Sequence, residues 1–230
     1  MSVYIFDDVL SIDDATKVEG LVKNGQYKPT AHSTHSIKNK RNNAPSNYYP
    51  FELPKGLKLG EWEEQQGPNR HWITEHGSNK KSLDSLGLSW VDELWNGLYS
   101  KLKLKEKFQV DEYSDAYINV HSHGQEPHLH SDVNSGNMTL LYYPILNWDQ
   151  WNWGGGTTIW DKDIETVDRI EELEVLEHVT NKGNRVVLFD AWHWHKAEAV
   201  ARICHDMRYT ITYKLIANGG NNERLDFYNG

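Results

Sequence analysis

The sequence predicts a mainly β protein with N-terminal helices (α+β), its C-terminal half closing into a jelly roll buttressed by those helices. Three observations carry this reading. From Phe108 onward, short runs rich in β-branched and aromatic residues follow one another, punctuated by Gly, Asn and Pro. Ahead of them lie two segments with helical periodicity. The chain is polar, with 38% hydrophobic residues and a mean hydropathy of −0.74, yet it holds ten Trp and twelve Tyr. Those rings supply a core and argue against disorder. Its 230 residues suit one sizeable domain.

Val3 to Phe6 reads as a short strand. Ser11, with Asp14 three residues on, offers an N-cap for a helix running to about Asn24, where Asn24-Gly25 is a natural stop. Residues 26–60 are polar and irregular. Their basic cluster, Lys38, Lys40 and Arg41 beside Asn42-Asn43-Ala44-Pro45, reads as a solvated loop in preference to a binding patch. Val91, Leu94, Trp95, Leu98 and Leu102 recur at helical spacing, while Asp92, Glu93 and Lys101 fall off that apolar face. The predicted strands include Phe108–Tyr113, Ala116–Val120, Met138–Ile145, Thr157–Trp160, Arg185–Asp190 and Arg208–Ile216, within a set of about eight that a jelly roll requires. A single domain results: residues 1–105 as helical and loop support, 106–217 as the core and 218–230 as a tail. The Gly154-Gly155-Gly156 run has no following Lys-Ser/Thr and opens no helix, so it reads as a tight strand connection and not a phosphate cradle.

Composition excludes several functions. A formal charge of −9 opposes attraction to nucleic acid or anionic membrane. No apolar run approaches the roughly 18–20 residues that span a bilayer. The opening Met-Ser-Val-Tyr-Ile-Phe-Asp-Asp carries acids where a secretion signal would be basic. One Cys, Cys204, rules out an internal disulfide and suits a reducing compartment, so a cytoplasmic location is expected. It has no His or Asn partner pattern for nucleophilic catalysis.

The twelve His are unevenly spread. His121, His123, His128 and His130 crowd together, and His193 and His195 stand two apart much later. Residues i and i+2 of a strand share a face, so His130 and Asp132 can aim at one ion. One distant His would complete two imidazoles and a carboxylate, the facial set of non-haem Fe(II) oxygenases. His128 competes with His130 but lacks an acid at +2. His193 and His195 both remain candidates for the distant ligand. By itself His-x-Asp is a weak signal.

An ordered series strengthens it: His130-Ser131-Asp132, Met138 to Tyr143, Trp148-Asp149, Trp153-Gly154-Gly155-Gly156-Thr157, Asn184 to Asp190, His195, and Arg208-Tyr209-Thr210-Ile211-Thr212-Tyr213. From Ala116 to Leu215 the chain resembles the Fe(II)/2-oxoglutarate-dependent dioxygenases of the prolyl 4-hydroxylase type, including the hypoxia-inducible-factor prolyl hydroxylases. The Tyr-Ile-Phe-Asp-Asp-Val-Leu-Ser opening is similar to that family's N-terminal strand and helix. The resemblance implies a double-stranded β-helix, with His130, Asp132 and His195 as iron ligands. His195 is favoured over His193 by the small apolar Val200 five residues on, which leaves His193 as a core-edge or supporting imidazole. Arg208 matches the cation that anchors the distal carboxylate of 2-oxoglutarate, and Tyr143 matches a tyrosine that hydrogen-bonds to it. Thr157 and Thr210 are expected as pocket walls. Tyr117, Asn119, His121, Trp148 and Trp153 are expected near the substrate. Two features depart from the family. His195 to Arg208 is longer than the usual spacing, making Arg202 a rival anchor. His121 also stands where many relatives place a pocket tyrosine.

The implied cofactors are Fe(II), 2-oxoglutarate and O2, with ascorbate as a candidate reductant. The implied reaction is hydroxylation of a C–H bond with release of succinate and CO2, most often on a prolyl residue of a peptide or protein. A free amino acid or small metabolite is the alternative substrate. A carboxylate at Asp132 speaks against halogenation. A non-catalytic jelly-roll binding module is the competing class, and it predicts decayed ligands. A zinc hydrolase or cupin-type isomerase would leave Tyr143 and Arg208 unexplained. Segments 26–60 and 148–153 are candidate lids. Sequence does not fix the oligomeric state.

Overall fold

Ser11 starts helix α1 (Ile12–Lys23) by accepting the Asp14 N–H at 3.1 Å and donating to the Asp14 carboxylate at 2.6 Å. This supplies a partner to an otherwise orphaned helix-end donor. Ala15, Val18 and Val22 form its buried stripe, and Asn24 closes it. The computed structural model describes residues 3–30, 71–73, 77–123, 125, 129–132, 136–161 and 174–217, with backbone alone for 28–30 and 71–73. Residues 31–60 of the candidate lid, with Lys38, Lys40 and Arg41, lie outside the described residues, as does the 218–230 tail.

Helix α2 (Lys80–Ser85) leads into α3 (Ser89–Leu102), which buries Val91, Leu94, Trp95, Leu98 and Leu102. Asp92, expected off that face, is buried with them. Its carboxylate accepts the Tyr113 hydroxyl at 2.7 Å and the Asn96 amide at 3.1 Å, which offsets the cost of leaving water. Helix α4 (Leu104–Phe108) ends where a strand was predicted to begin.

The strands are β1 (Tyr4–Phe6), β2 (Lys28–Thr30), β3 (His71–Ile73), β4 (Val110–His121), β5 (Met138–Tyr143), β6 (Thr157–Trp160), β7 (Val175–Val179), β8 (Arg185–Asp190), β9 (His195–Ala197) and β10 (Arg208–Ala217). The two strands predicted within 108–120 are one, β4. Its irregularity near Ser114 is a bulge opposite Lys214/Leu215 and not a turn. Strand β5 stops before Pro144, which has no N–H to give the ladder. The short β7 and β9 had no predicted counterpart.

Seven strands form one antiparallel sheet in the order β1-β8-β5-β10-β4-β3-β2, and three form another, β7-β6-β9. Leu141, Tyr143, Val187 and Phe189 of the large sheet pack against Ile159 and Val179 of the small one. This is the sandwich of a double-stranded β-helix. Alternation divides each central strand between two interiors. On β10, Tyr209, Ile211, Tyr213 and Leu215 join Val18, Val22, Leu94, Trp95 and Leu98 of the helices. The Tyr213 hydroxyl donates to the Val91 carbonyl at 2.8 Å. Arg208, Thr210, Thr212 and Lys214, all buried, take the inner face. The helices therefore back one side of the large sheet and leave the other for polar chemistry.

Candidate functional site

His130 and His195 face each other across an antiparallel bridge. The His130 N–H donates to the His195 carbonyl at 3.1 Å and the His195 N–H to the His130 carbonyl at 2.8 Å. Their ring centroids lie 4.3 Å apart. Asp132 is fixed by its N–H on the Ala191 carbonyl at 2.7 Å. Its Oδ1 is 3.8 Å from His130 Nε2, and its Oδ2 is 3.3 Å from His195 Nε2. One ligand atom from each of the three lies within 4.8 Å of the others. His195 Nδ1 sits 3.0 Å from the His193 carbonyl, which can only accept, so Nδ1 carries the proton. In the neutral ring Nε2 then turns a lone pair to the side where the Asp132 carboxylate lies, an arrangement that a cation held by that carboxylate and the two imidazoles satisfies. The donor set suits a divalent transition metal and leaves coordination positions open.

His193 does not join this group. It is buried with Nδ1 2.9 Å from the Trp160 carbonyl and its ring stacked on Trp192 at 3.9 Å, and burial pushes its pKa down. His123 is exposed. His128 lies outside the described residues.

A second polar cluster is built by register. Strand β10 pairs Arg208 with His121, Thr210 with Asn119 and Thr212 with Tyr117 of β4, so these side chains share the inner face. Arg208 is 2% exposed. Its Nε donates to the Gly155 carbonyl at 2.5 Å, and its two terminal nitrogens reach His121 Nδ1 at 3.3 Å, Thr210 Oγ1 at 3.4 Å and Thr157 Oγ1 at 3.3 Å. The guanidinium carbon lies 5.7 Å from the Tyr143 ring centre, and the Tyr143 hydroxyl is 2.7 Å from Thr157 Oγ1. Burial pulls the Arg208 pKa down and pushes that of Tyr143 up, each tempered by the other, so the phenol is a proton donor. No carboxylate pairs with Arg208 among the described residues. The Thr212 hydroxyl is buried on the same face and has no partner among them. A buried cation in no salt bridge and an orphaned hydroxyl fit an anionic ligand.

Gly155 makes the approach possible. Its φ is +70°, and a Cβ there would stand 3.1 Å from both Arg208 Cδ and the Trp148 ring. Arg202, the rival anchor, is exposed in the turn before β10. Trp148, expected at the mouth, is instead buried in the helix-side core, its indole N–H on the Gly154 carbonyl at 3.0 Å. Trp153 is half-buried, edge-on between Trp148 and His205. In the 148–153 segment, Asp149 caps a turn by accepting the Trp151 and Asn152 N–H groups, each at 3.1 Å, and Trp151 points outward, 83% exposed. Tyr117 and Asn119 are half-buried on the inner face.

Two inner-face residues escaped the sequence reading. Thr139 donates to Asp132 Oδ2 at 2.7 Å, and the Lys214 ammonium forms a short charged contact with the same oxygen. Burial alone would raise the Asp132 pKa. The Lys214 ammonium is the largest opposing influence, and the carboxyl is held well below the usual range. The signal lay in the alternation: starting from Arg208, positions 210, 212 and 214 face the same way.

Residues 114–214 match the family model described as the 2OG-Fe(II) oxygenase superfamily. No curated protein matches by sequence. Among solved structures, a prolyl hydroxylase from Trichoplax adhaerens, in complex with a hypoxia inducible factor oxygen degradation domain peptide fragment, superposes with a TM-score of 0.56 at 15% identity. The match covers 95% of this chain and 84% of that one. An oxidoreductase of the 2OG-Fe(II) oxygenase family from Burkholderia pseudomallei gives 0.53 at 10% identity, over 92% and 83%. At such identities these likenesses speak to the fold.

Proposed function

We propose, on the premise that residues 114–214 belong to the 2OG-Fe(II) oxygenase superfamily, that the protein is an Fe(II)- and 2-oxoglutarate-dependent hydroxylase of a prolyl residue in a peptide or protein. The observation that carries this reading is Arg208: a buried guanidinium, in no salt bridge with a described carboxylate, on the same inner face as the convergent His130, Asp132 and His195. When bound, ferrous iron supplies the dioxygen activation that couples oxidative decarboxylation of 2-oxoglutarate, to succinate and CO2, with insertion of one oxygen atom into a substrate C–H bond.

The chain's own residues prepare that chemistry. His193 fixes the tautomer of His195 through its carbonyl, leaving Nε2 as the ligand atom. Asp132 stays ionised because its neighbours hold its proton off. Arg208 offers terminal N–H groups to the distal carboxylate of 2-oxoglutarate, Tyr143 and Thr157 offer hydroxyls, and Thr210 walls the pocket. The buried apolar cluster of Leu141, Ile159, Val179, Val187 and Phe189 packs beside Tyr143, and Phe189 lies edge-on to His195, so this side of the site is kept dry. Tyr117 and Asn119 line the substrate side, with Trp153 at its edge, whereas His121, against Arg208, belongs to the cosubstrate end. Peptide substrates are favoured by the resemblance to prolyl hydroxylases. The half-buried single Cys204 is compatible with a cytoplasmic, reducing setting.

The test is anaerobic titration of Fe(II)-loaded protein with 2-oxoglutarate, watching for the weak visible charge-transfer band. Succinate release is then screened against prolyl peptides, free proline and other amino acids, with and without ascorbate. Folded, iron-loaded protein that shows no band would defeat the cosubstrate assignment. Turnover of free amino acids but of no peptide would reassign the substrate.

A further inference from the structure

Lys214 is buried on β10, three alternations along from Arg208, and its register partner on β5 is Thr139. This cross-strand pair converges on a single atom. Thr139 Oγ1 donates to Asp132 Oδ2 at 2.7 Å, and the Lys214 ammonium contacts the same oxygen while lying 5.6 Å from the Tyr117 ring centre. A carboxylate oxygen has two in-plane lone pairs, and two donors occupy both. Oδ2 also lies 3.3 Å from His195 Nε2, which carries a lone pair and gives it no proton, while Oδ1 meets only the His130 ring, at 3.8 Å, among the contacts described. With the Asp132 backbone N–H also tied to Ala191, the carboxylate is held at one end and presented at the other.

We infer that Lys214, together with Thr139, is a positioning residue that occupies Oδ2 of Asp132 and so restricts this carboxylate to ligation through one oxygen. The inference rests on the metal-site reading above. A divalent ion has a limited number of coordination places. A carboxylate free to turn and chelate through both oxygens takes one of the places that a keto acid needs. The lysine also sets one positive charge against the arriving ion. Its removal therefore has two opposite effects: the site holds a bare metal ion at least as well and holds 2-oxoglutarate on that metal less well. A role confined to packing would weaken both together.

The experiment uses Co(II), whose visible absorption reports coordination number, on metal-free wild type, Lys214→Met and Thr139→Val. Co(II) affinity is read by titration, 2-oxoglutarate affinity on the Co(II)-loaded proteins, and folding by circular dichroism. Lys214→Met is expected to bind Co(II) no more weakly than wild type, with an altered d–d spectrum, and 2-oxoglutarate at least tenfold more weakly. Thr139→Val is expected to shift both in the same directions by less, and it decides the matter if Lys214→Met does not fold. Folded variants with wild-type spectra and cosubstrate affinity overturn the inference, as do variants that lose metal and cosubstrate affinity in parallel. Failure of wild type itself to bind Co(II) overturns the metal-site reading first, and the inference with it.

Discussion

Replacing Arg208 by Met separates ligand recognition from stability, because the hydrogen bonds of the guanidinium among the described residues run to uncharged groups, one carbonyl, one imidazole and two hydroxyls, beside the Tyr143 ring. Removing one partner of a buried charged pair costs roughly 2–5 kcal/mol. The dissociation constant for 2-oxoglutarate should therefore rise about thirtyfold or more at ~1.4 kcal/mol per decade. With Mn(II) as a redox-inert metal and 2-oxoglutarate at about 100 times the wild-type dissociation constant, ligand binding stabilises wild type by ~2.7 kcal/mol. The same concentration stabilises the variant by less than ~0.9 kcal/mol. At 2–4 °C per kcal/mol for a chain of this size, the wild-type melting temperature rises by about 5–11 °C and that of the variant by about 4 °C at most. Differential scanning fluorimetry reads both. A full ligand shift in Arg208→Met, or its loss in Arg202→Ala alone, refutes the anchor assignment.

Gly155→Ala places a methyl 3.1 Å from the Arg208 stem at a φ of +70°. It should cost ~1–3 kcal/mol in strain and weaken 2-oxoglutarate binding, read by urea unfolding and ligand titration. Asp132→Ala leaves Lys214 buried without its carboxylate, so the metal-free variant should lose about 3–5 kcal/mol in urea. His195→Ala should lose less, and equal losses would refute the Lys214–Asp132 pairing. Asp7 ties the end of β1 to β8 through Arg185 at 2.6 Å, and that bond, against modest desolvation, lowers its pKa from 3.8 to about 2. Because the folded value lies below the unfolded one, this stabilisation is complete above pH ~4 and is lost as pH falls toward 2. Full linkage would give ~2.4 kcal/mol, but with Asp7 37% exposed, solvent screening reduces it to about 1 kcal/mol. Asp7→Asn should therefore lose about that amount at pH 7 and show a shallower loss of stability between pH 4 and 2 in thermal melts. An unchanged acid limb counts against the bridge.

Some of this architecture was open to reading from residues, and the reasons are local. Period-two spacing places His130 and Asp132 on one face, and 3.6-period spacing gives the buried stripe of α3. Ser11 announces its helix because a cap is a short-range hydrogen bond. What stayed hidden depends on distant pairing. Asp92 looked like a surface acid because Tyr113, its donor, belongs to another element. The bulge in β4 imitated a turn because Ser114-Asp115 interrupts the alternation without interrupting the strand. Trp148 looked like a rim aromatic because nothing in the sequence says that Gly154 will accept its indole N–H. Lys214 was passed over because a lysine in a strand usually marks an exposed edge. Only the convergence of β5, β10 and the Asp132 segment shows that its ammonium meets a carboxylate.

The placement of Arg208 has a consequence for how such chains are compared. Its position is dictated by its partner His121 on β4, so the connection that leads into β10 can grow or shrink without moving the guanidinium. Counting residues forward from His195 would have pointed to Arg202, which faces solvent. Rungs of the ladder, and not links of the chain, are the proper ruler here. A loop graft that shortens 202–206 while sparing the pairing and the 198–201 contacts to Gly154–Gly156 should leave ligand recognition untouched, whereas sliding β10 by a single rung would send Arg208 into the greasy layer beneath the helices.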